Sequence, residues 1–174
     1  MTDRDAARLI SPAQLLAGLD DLGIDAKTHS HAPLMTVLDS QKLRGNIPGL
    51  HAKNLFLKDK KQQLWLVVCE ESRAVDLKQL RKRIGAAGLS FGRAELLYET
   101  LGVNPGSVTP FSIINDPVQQ VRVVLDIALS EAEAVNFHPL TNTQTTTLSG
   151  SGLLLFLRVH HHEPVLLDFS NSPS

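Results

Sequence analysis

The sequence has a single cysteine, Cys69, and so can form no internal disulfide. It has no run of roughly 18 to 20 apolar residues of the kind that spans a bilayer. Its opening stretch, MTDRDAARLI, carries acids and lacks the apolar segment of a secretory signal. These absences set the expectation of a soluble cytoplasmic protein with no membrane partner. The common catalytic signatures are missing too: no P-loop, no strand–GxGxxG–helix, no GxSxG elbow, no HExxH and no CxxC pair. If such a chain is an enzyme, it must work by positioning and by hydrogen bonds to developing charge. The histidine run at 160–162 does not fill the gap. Three consecutive side chains diverge in any regular structure, whereas a metal needs separated ligands that converge, so the run reads as a polar turn after the last helix. His29, His31 and His51 read as surface or edge residues. Cys69 lies in the apolar run LWLVVCEE and reads as packing within a buried strand, because a reactive thiolate needs electropositive, accessible surroundings.

Net charge is nearly absent as well, at −1, but this hides an asymmetry. Residues 42–93 hold twelve Lys and Arg against four acids, a balance of +8, and the remainder holds five against fourteen, or −9. One strongly basic third suggests a positive face that meets polyanions.

At 174 residues and 43% hydrophobic, the chain is long and apolar enough for one domain, 1–174, with loose ends at about 1–10 and 170–174. SPAQLLAGLDDLG predicts a helix with Ser11 as cap, Pro12 at the first position, Gln14 closing a capping box, Leu15, Leu16, Leu19 and Leu22 as one stripe, and Gly23 as stop. IDAKTHSH predicts a short strand. MTVLDSQKLRG predicts a helix capped by Thr36 and ended by Gly45. PGLHAKNLFLKD and QQLWLVVCEE predict a hairpin. Asp76 caps a basic helix, LKQLRKRIG; LSFG is extended; RAELLYETLG is a helix closed by Gly102. In the proline-rich stretch that follows, FSII reads as a brief strand, and QVRVVLDIAL as a longer one. AVNFHP, TQTTTLS and EPVLLDF read as strands and SGLLLFLRVH as a helix. Grouped strands with helices between them, rather than regular βαβ alternation, argue for an α+β fold with a mixed, largely antiparallel sheet and several short helices.

Four stretches occur in order: GLHAKNLFLKD at 49–59, LGVNPGSVTPFSIIND at 102–116, VVLD at 123–126 and NFHPLTNTQTTTLS at 136–149. Together they closely resemble the YbaK/EbsC superfamily, which includes free-standing aminoacyl-tRNA deacylases and the editing domain of prolyl-tRNA synthetase. The nearest likeness is to the alanyl-tRNA(Pro) deacylase branch, PrdX/ProX, over about residues 11–170. The resemblance implies a curved, barrel-like mixed sheet flanked by helices, and hydrolysis of alanine wrongly esterified to proline tRNA. It implies no metal or organic cofactor. The implied partners are the tRNA(Pro) acceptor stem with its mischarged aminoacyl-adenosine end, and prolyl-tRNA synthetase. It makes Lys53 the functional lysine, with Asn54 after it. Gly106 and Pro110 become the ends of a GxxxP loop, and His138 the histidine that places the aminoacyl group. Catalysis is assisted in such relatives by the terminal ribose 2′-hydroxyl. The related cysteinyl-tRNA(Pro) deacylases lack the FHP histidine, so its presence favours alanine.

The residues make physical sense in those roles. Lys53 opens a strand of apolar neighbours, Leu55, Phe56 and Leu57, and suits a phosphate or ribose contact as a compact point charge. Asn54 can donate and accept. Pro105 and Pro110 pin a loop in which Gly106 permits close approach and the amides of Ser107, Val108 and Thr109 can face a carbonyl oxygen or phosphate. His138 reads as the polar floor of a pocket walled by Phe137. Beyond it Thr143, Thr145 and Thr147 share one strand face and Gln144, Thr146 and Leu148 the other. A pocket too small for proline would accept alanine, the double-sieve logic. Lys58, Lys60, Lys61, Lys78, Arg81, Lys82 and Arg83 suit an acceptor stem through salt-sensitive phosphate contacts. Two alternatives stand beside this reading: deacylation of a seryl- or cysteinyl-tRNA, and a non-catalytic module that binds tRNA or the synthetase.

Overall fold

A computed structural model of the protein describes residues 9–33 and 37–170. Helix α1 (Pro12–Asp21) starts with a complete capping box: Ser11 Oγ accepts from the Gln14 amide at 3.1 Å and Gln14 Oε1 accepts from the Ser11 amide at 2.9 Å. Leu15 and Leu19 bury its inner stripe. Strand β1 (Ala26–Ser30) and helix α2 (Val37–Asn46) follow. The expected α2 cap, Thr36, lies outside the described residues. The helix runs through Gly45, its expected terminator, to Asn46. One glycine costs a helix about 1 kcal/mol without ending it, whereas Pro48 biases Ile47 away from helical backbone.

Strands β2 (Leu50–Lys58) and β3 (Leu64–Glu70) form the expected hairpin. Its turn is pinned by Asp59, whose Oδ1 accepts from the amides of Lys61 and Gln63 at 2.8 and 3.0 Å. Burial pushes the Asp59 carboxyl up, but these bonds, with others from Trp65 and Ala87, outweigh it and hold the group below its ordinary value. Helix α3 (Leu77–Ile84) is capped by Asp76 and closed by Gly85. Strand β4 (Ser90–Phe91) and helix α4 (Ala94–Leu101) come next.

Two expectations fail in the next segment. FSII is not a strand: it lies within a 3-10 turn, Pro110–Asn115. Pro110 fixes φ, Thr109 Oγ1 accepts from the Phe111 amide at 3.3 Å and Ser112 Oγ donates to the Thr109 carbonyl at 2.6 Å. These local bonds win over a ladder. QVRVVLDIAL is not one strand either. β5 (Val121–Asp126) ends where Asp126 Oδ1 accepts from the Ala128 amide at 3.0 Å and so caps helix α5 (Ile127–Glu131). Then follow β6 (Val135–Phe137), β7 (Gln144–Leu148), helix α6 (Gly150–Val159) and β8 (Val165–Leu167). The histidine run after α6 diverges. The His160 ring lies 4.6 Å from that of Phe156, while His162 is buried with Nε2 3.0 Å from Asp116 Oδ2.

Among the described residues eight strands form one mixed sheet in the order β1-β7-β6-β2-β3-β5-β8, with β4 also on β2. The pairs β2/β6, β3/β5 and β5/β8 are parallel and the others antiparallel. The long connection through α3 and α4 returns β5 to lie parallel to β3, as a crossover allows. One sheet face buries Phe56, Leu66, Val68, Val123, Leu125 and Phe137 against α1, α4, α6 and the 110–115 turn. The other buries Leu57, Trp65, Val67, Cys69 and Val124 against α3 and Phe169.

Candidate active site

Strand β2 is paired unevenly. On one side β3 accompanies it from Ala52 to Lys58. On the other, β6 reaches only Leu50 and His51, and β4 only Leu57 and Lys58. Residues 53–55 therefore present a backbone edge with no strand beside it among the described residues. Alternation sends the side chains flanking this slot to opposite faces. Lys53 shares the face of Leu55 and Leu57 and stands opposite Cys69; Asn54 shares the face of Phe56 and stands opposite Val68.

The Lys53 amine donates to the Arg73 carbonyl. Arg73 is itself held, its Nε 3.3 Å from Oδ2 of Asp126, which is 1% exposed and also accepts from the Glu70 amide at 3.1 Å. Burial pushes the Cys69 thiol up to about 11 against the opposing charge of Lys53, which fits packing and not reactivity. Asn54 Oδ1 is buried with no hydrogen-bond partner among the described residues. A buried acceptor left open is rare and calls for a donor.

The parallel ladder sets Leu50 beside Val135 and His51 beside Asn136. Two residues further along come Lys53, within β2, and His138, just past the end of β6. His138 begins the turn that ends β6, its carbonyl accepting from the Leu140 amide at 3.0 Å. Its Nδ1 lies 3.0 Å from the Gln144 carbonyl, which can only accept. Nδ1 therefore carries hydrogen, and the neutral ring offers Nε2 as an acceptor. Burial holds His138 below the usual imidazole range; the Gln144 carbonyl opposes this, and His31 adds to it.

His31, expected at a surface or edge, belongs to this neighbourhood. Its ring centroid is 6.4 Å from that of His138, and its Nε2 is 2.9 Å from Thr145 Oγ1. With Pro33, Asp39, Lys42 and Leu43 it lines a cavity of about 290 Å³ beside α2. No spacing motif marks His31. The available signal is the shared face of the odd-numbered β7 threonines, on which Thr147 Oγ1 also donates to Asn136 Oδ1 at 2.5 Å. Thr146 faces the other way, 2.8 Å from Thr28.

The loop at 105–110 adjoins the turn after His138. A Cβ at Gly106 would meet only Asn142 Nδ2, at 3.9 Å, so the loop leaves open space there. Of the three amides expected to be free, that of Ser107 is not: it donates to the Asn104 carbonyl at 2.8 Å, closing a 3-10 turn. The amide of Val108 borders the same 3-10 turn. Thr109 and Pro110 are buried, and Val108 packs on the core. Phe137 is 3% exposed and sits edge-on to Phe111 at 5.9 Å, so its ring belongs to the core that supports this end of the sheet.

The expected tRNA-binding cations lie at the end of β2, in the hairpin turn and on α3. Lys58 is partly buried and Lys60 and Lys61 are exposed in the hairpin turn; Lys78, Arg81, Lys82 and Arg83 are exposed on α3. Lys60 donates its amide to the Ala87 carbonyl at 2.7 Å, which fastens the turn to the segment leaving α3. Arg83 is partly engaged, with Nη2 2.6 Å from the Asp168 carbonyl and its guanidinium 5.8 Å from the Phe169 ring centre.

Residues 31–156 match a family model described as an aminoacyl-tRNA editing domain. A mouse protein, "Prolyl-tRNA synthetase associated domain-containing protein 1", is 36% identical over 162 residues, which cover 90% of this chain and 95% of that protein. "Prolyl-tRNA editing protein ProX" of Acetoanaerobium sticklandii is 35% identical over 148 residues, covering 84% and 87%. A crystal structure described as a candidate trans-editing enzyme for prolyl-tRNA synthetase superposes with a TM-score of 0.69 at 20% identity, over 92% of this chain and 97% of that one, a likeness of fold.

Proposed function

The chain belongs to the aminoacyl-tRNA editing domain family, and from that membership we propose that it is a cytoplasmic trans-editing deacylase that removes alanine wrongly esterified to proline tRNA. The observation that carries this reading is the slot in the sheet at residues 53–55, flanked by Lys53 and Asn54. The terminal adenosine of the tRNA enters there. Lys53 gives a point charge to phosphate or ribose, and the open Asn54 Oδ1 accepts from a ribose hydroxyl. The ester carbonyl lies against the 105–110 loop, where Gly106 makes room and loop backbone stabilises the oxyanion. The His138 Nε2 accepts from the substrate's ammonium or 2′-hydroxyl. Water adds to the carbonyl carbon, the ester C–O bond breaks, and free alanine and a tRNA hydroxyl result. An activated ester requires no protein nucleophile for this.

Lys58, Lys60, Lys61, Lys78, Arg81, Lys82 and Arg83 carry the acceptor stem. Lys58 lies five residues beyond Lys53, about 17 Å along an extended strand, so the stem approaches along β2 toward α3. The names of the mouse and bacterial relatives support proline tRNA and its synthetase as partners. The test is to incubate the protein with alanyl-, seryl-, cysteinyl- and prolyl-tRNA(Pro) and follow loss of the ester. Fast loss from alanyl-tRNA alone is expected. Preferential loss from seryl- or cysteinyl-tRNA overturns the alanine assignment, and loss from none overturns the enzyme.

A further inference from the structure

The geometry points to His31 as a second imidazole of the site, a positioning residue that keeps His138 neutral with Nε2 open as an acceptor. This rests on the site reading above. His31 is fixed at both nitrogens. Its Nδ1 lies 2.8 Å from the Ala32 carbonyl, which only accepts, so Nδ1 carries hydrogen, and Nε2 meets the Thr145 hydroxyl at 2.9 Å. Both nitrogens are thus engaged, and the ring is anchored in place.

Adjacent residues of β7 hold the two rings. The Gln144 carbonyl receives the His138 Nδ1–H, and the 5%-exposed Thr145 anchors His31. The centroids are therefore set 6.4 Å apart with the planes at 56°. Two imidazoles so placed resist sharing two protons, because a charge on either disfavours a charge on the other. Other titratable groups stand nearby. Asp39 and Lys42 of α2 line the His31 cavity with opposite charges. His29 lies two residues earlier on the same face of β1, and His51 is bonded to the Ile47 carbonyl at 3.2 Å. Burial of His138 acts in the same direction as its His31 neighbour.

His31→Gln removes the imidazole and leaves a polar group for Thr145. The His138 ring is followed by NMR titration of the whole chain, its signal assigned by loss in His138→Gln, beside kcat/KM for alanyl-tRNA(Pro) across pH. Two results are expected: His138 titrates at higher pH in His31→Gln than in the wild-type chain, and the acid limb of kcat/KM moves the same way. The activity loss is then greater at about pH 6 than at about pH 8. If His31→Gln fails to fold, Thr145→Val frees the His31 ring from its anchor and gives a smaller shift of the same sign. A His138 titration unmoved in the folded variant overturns the inference whether or not the ester is cleaved. A shifted titration in a chain that cleaves no aminoacyl-tRNA supports the imidazole pair and defeats the deacylase reading alone.

Discussion

Lys53 combines a backbone fixed in a ladder with a long side chain whose amine meets the Arg73 carbonyl, and that combination suits a cation that must find a phosphate or ribose reproducibly. Lys53→Ala is expected to lower deacylation by roughly 100-fold or more, with an unchanged thermal midpoint because the position is only partly buried. A melt and a single-turnover assay on the same preparation check it; full activity removes Lys53 from the site. At this scale the sequence was informative where residue type and motif coincide. Lys53, Asn54, Gly106 and His138 stand out in KN, GxxxP and FHP. It was uninformative where function depends on a neighbour brought by another strand. His31 and Thr145 are 114 residues apart, and no local pattern joins them. Ser107 misled for a different reason: a loop pinned by prolines still makes internal bonds, and only coordinates show which amides those consume.

Elements were most legible where their ends carry their own chemistry. The capping box at Ser11 and the Asp76 cap are written in residues three or fewer apart. The strand expected at FSII failed because β-branched composition was outvoted by Pro110 and two side-chain bonds within one turn. Packing between elements was not legible at all. Gly150 opens α6 against α5, where an added Cβ would sit 2.2 Å from the Leu129 carbonyl oxygen and 2.5 Å from that of Ser130. Gly150→Ala must push the helices apart and is expected to cost about 1–3 kcal/mol, read as a lowered denaturant midpoint at unchanged slope. Gly106→Ala is its counterpart, since the Cβ there meets nothing closer than 3.9 Å. It should leave stability within about 0.5 kcal/mol while slowing deacylation, because the methyl occupies space reserved for substrate. Equal loss of stability in both variants would show that the 105–110 loop is tightly packed and not open.

For the molecule as a whole, the charge asymmetry in the sequence falls largely on the β2–β3 turn and helix α3. The bond between Lys60 and Ala87 fastens the hairpin turn to the segment that leaves α3. Lys82→Glu should weaken tRNA binding and reduce the slope of log K against log salt by about one, with little change in stability. Filter binding at several salt concentrations measures both, and an unaltered slope would move the RNA track elsewhere. Strand order, by contrast, was hidden, because it depends on pairings across the chain such as β1 with β7 and β2 with β6. The slot beside Lys53 inherits that distance. During synthesis the lysine is made about 85 residues before His138, and the borders of its recess belong to segments the ribosome has yet to deliver. A nascent chain therefore carries the lysine early, and the recess beside it is complete only once the later strands have joined the sheet.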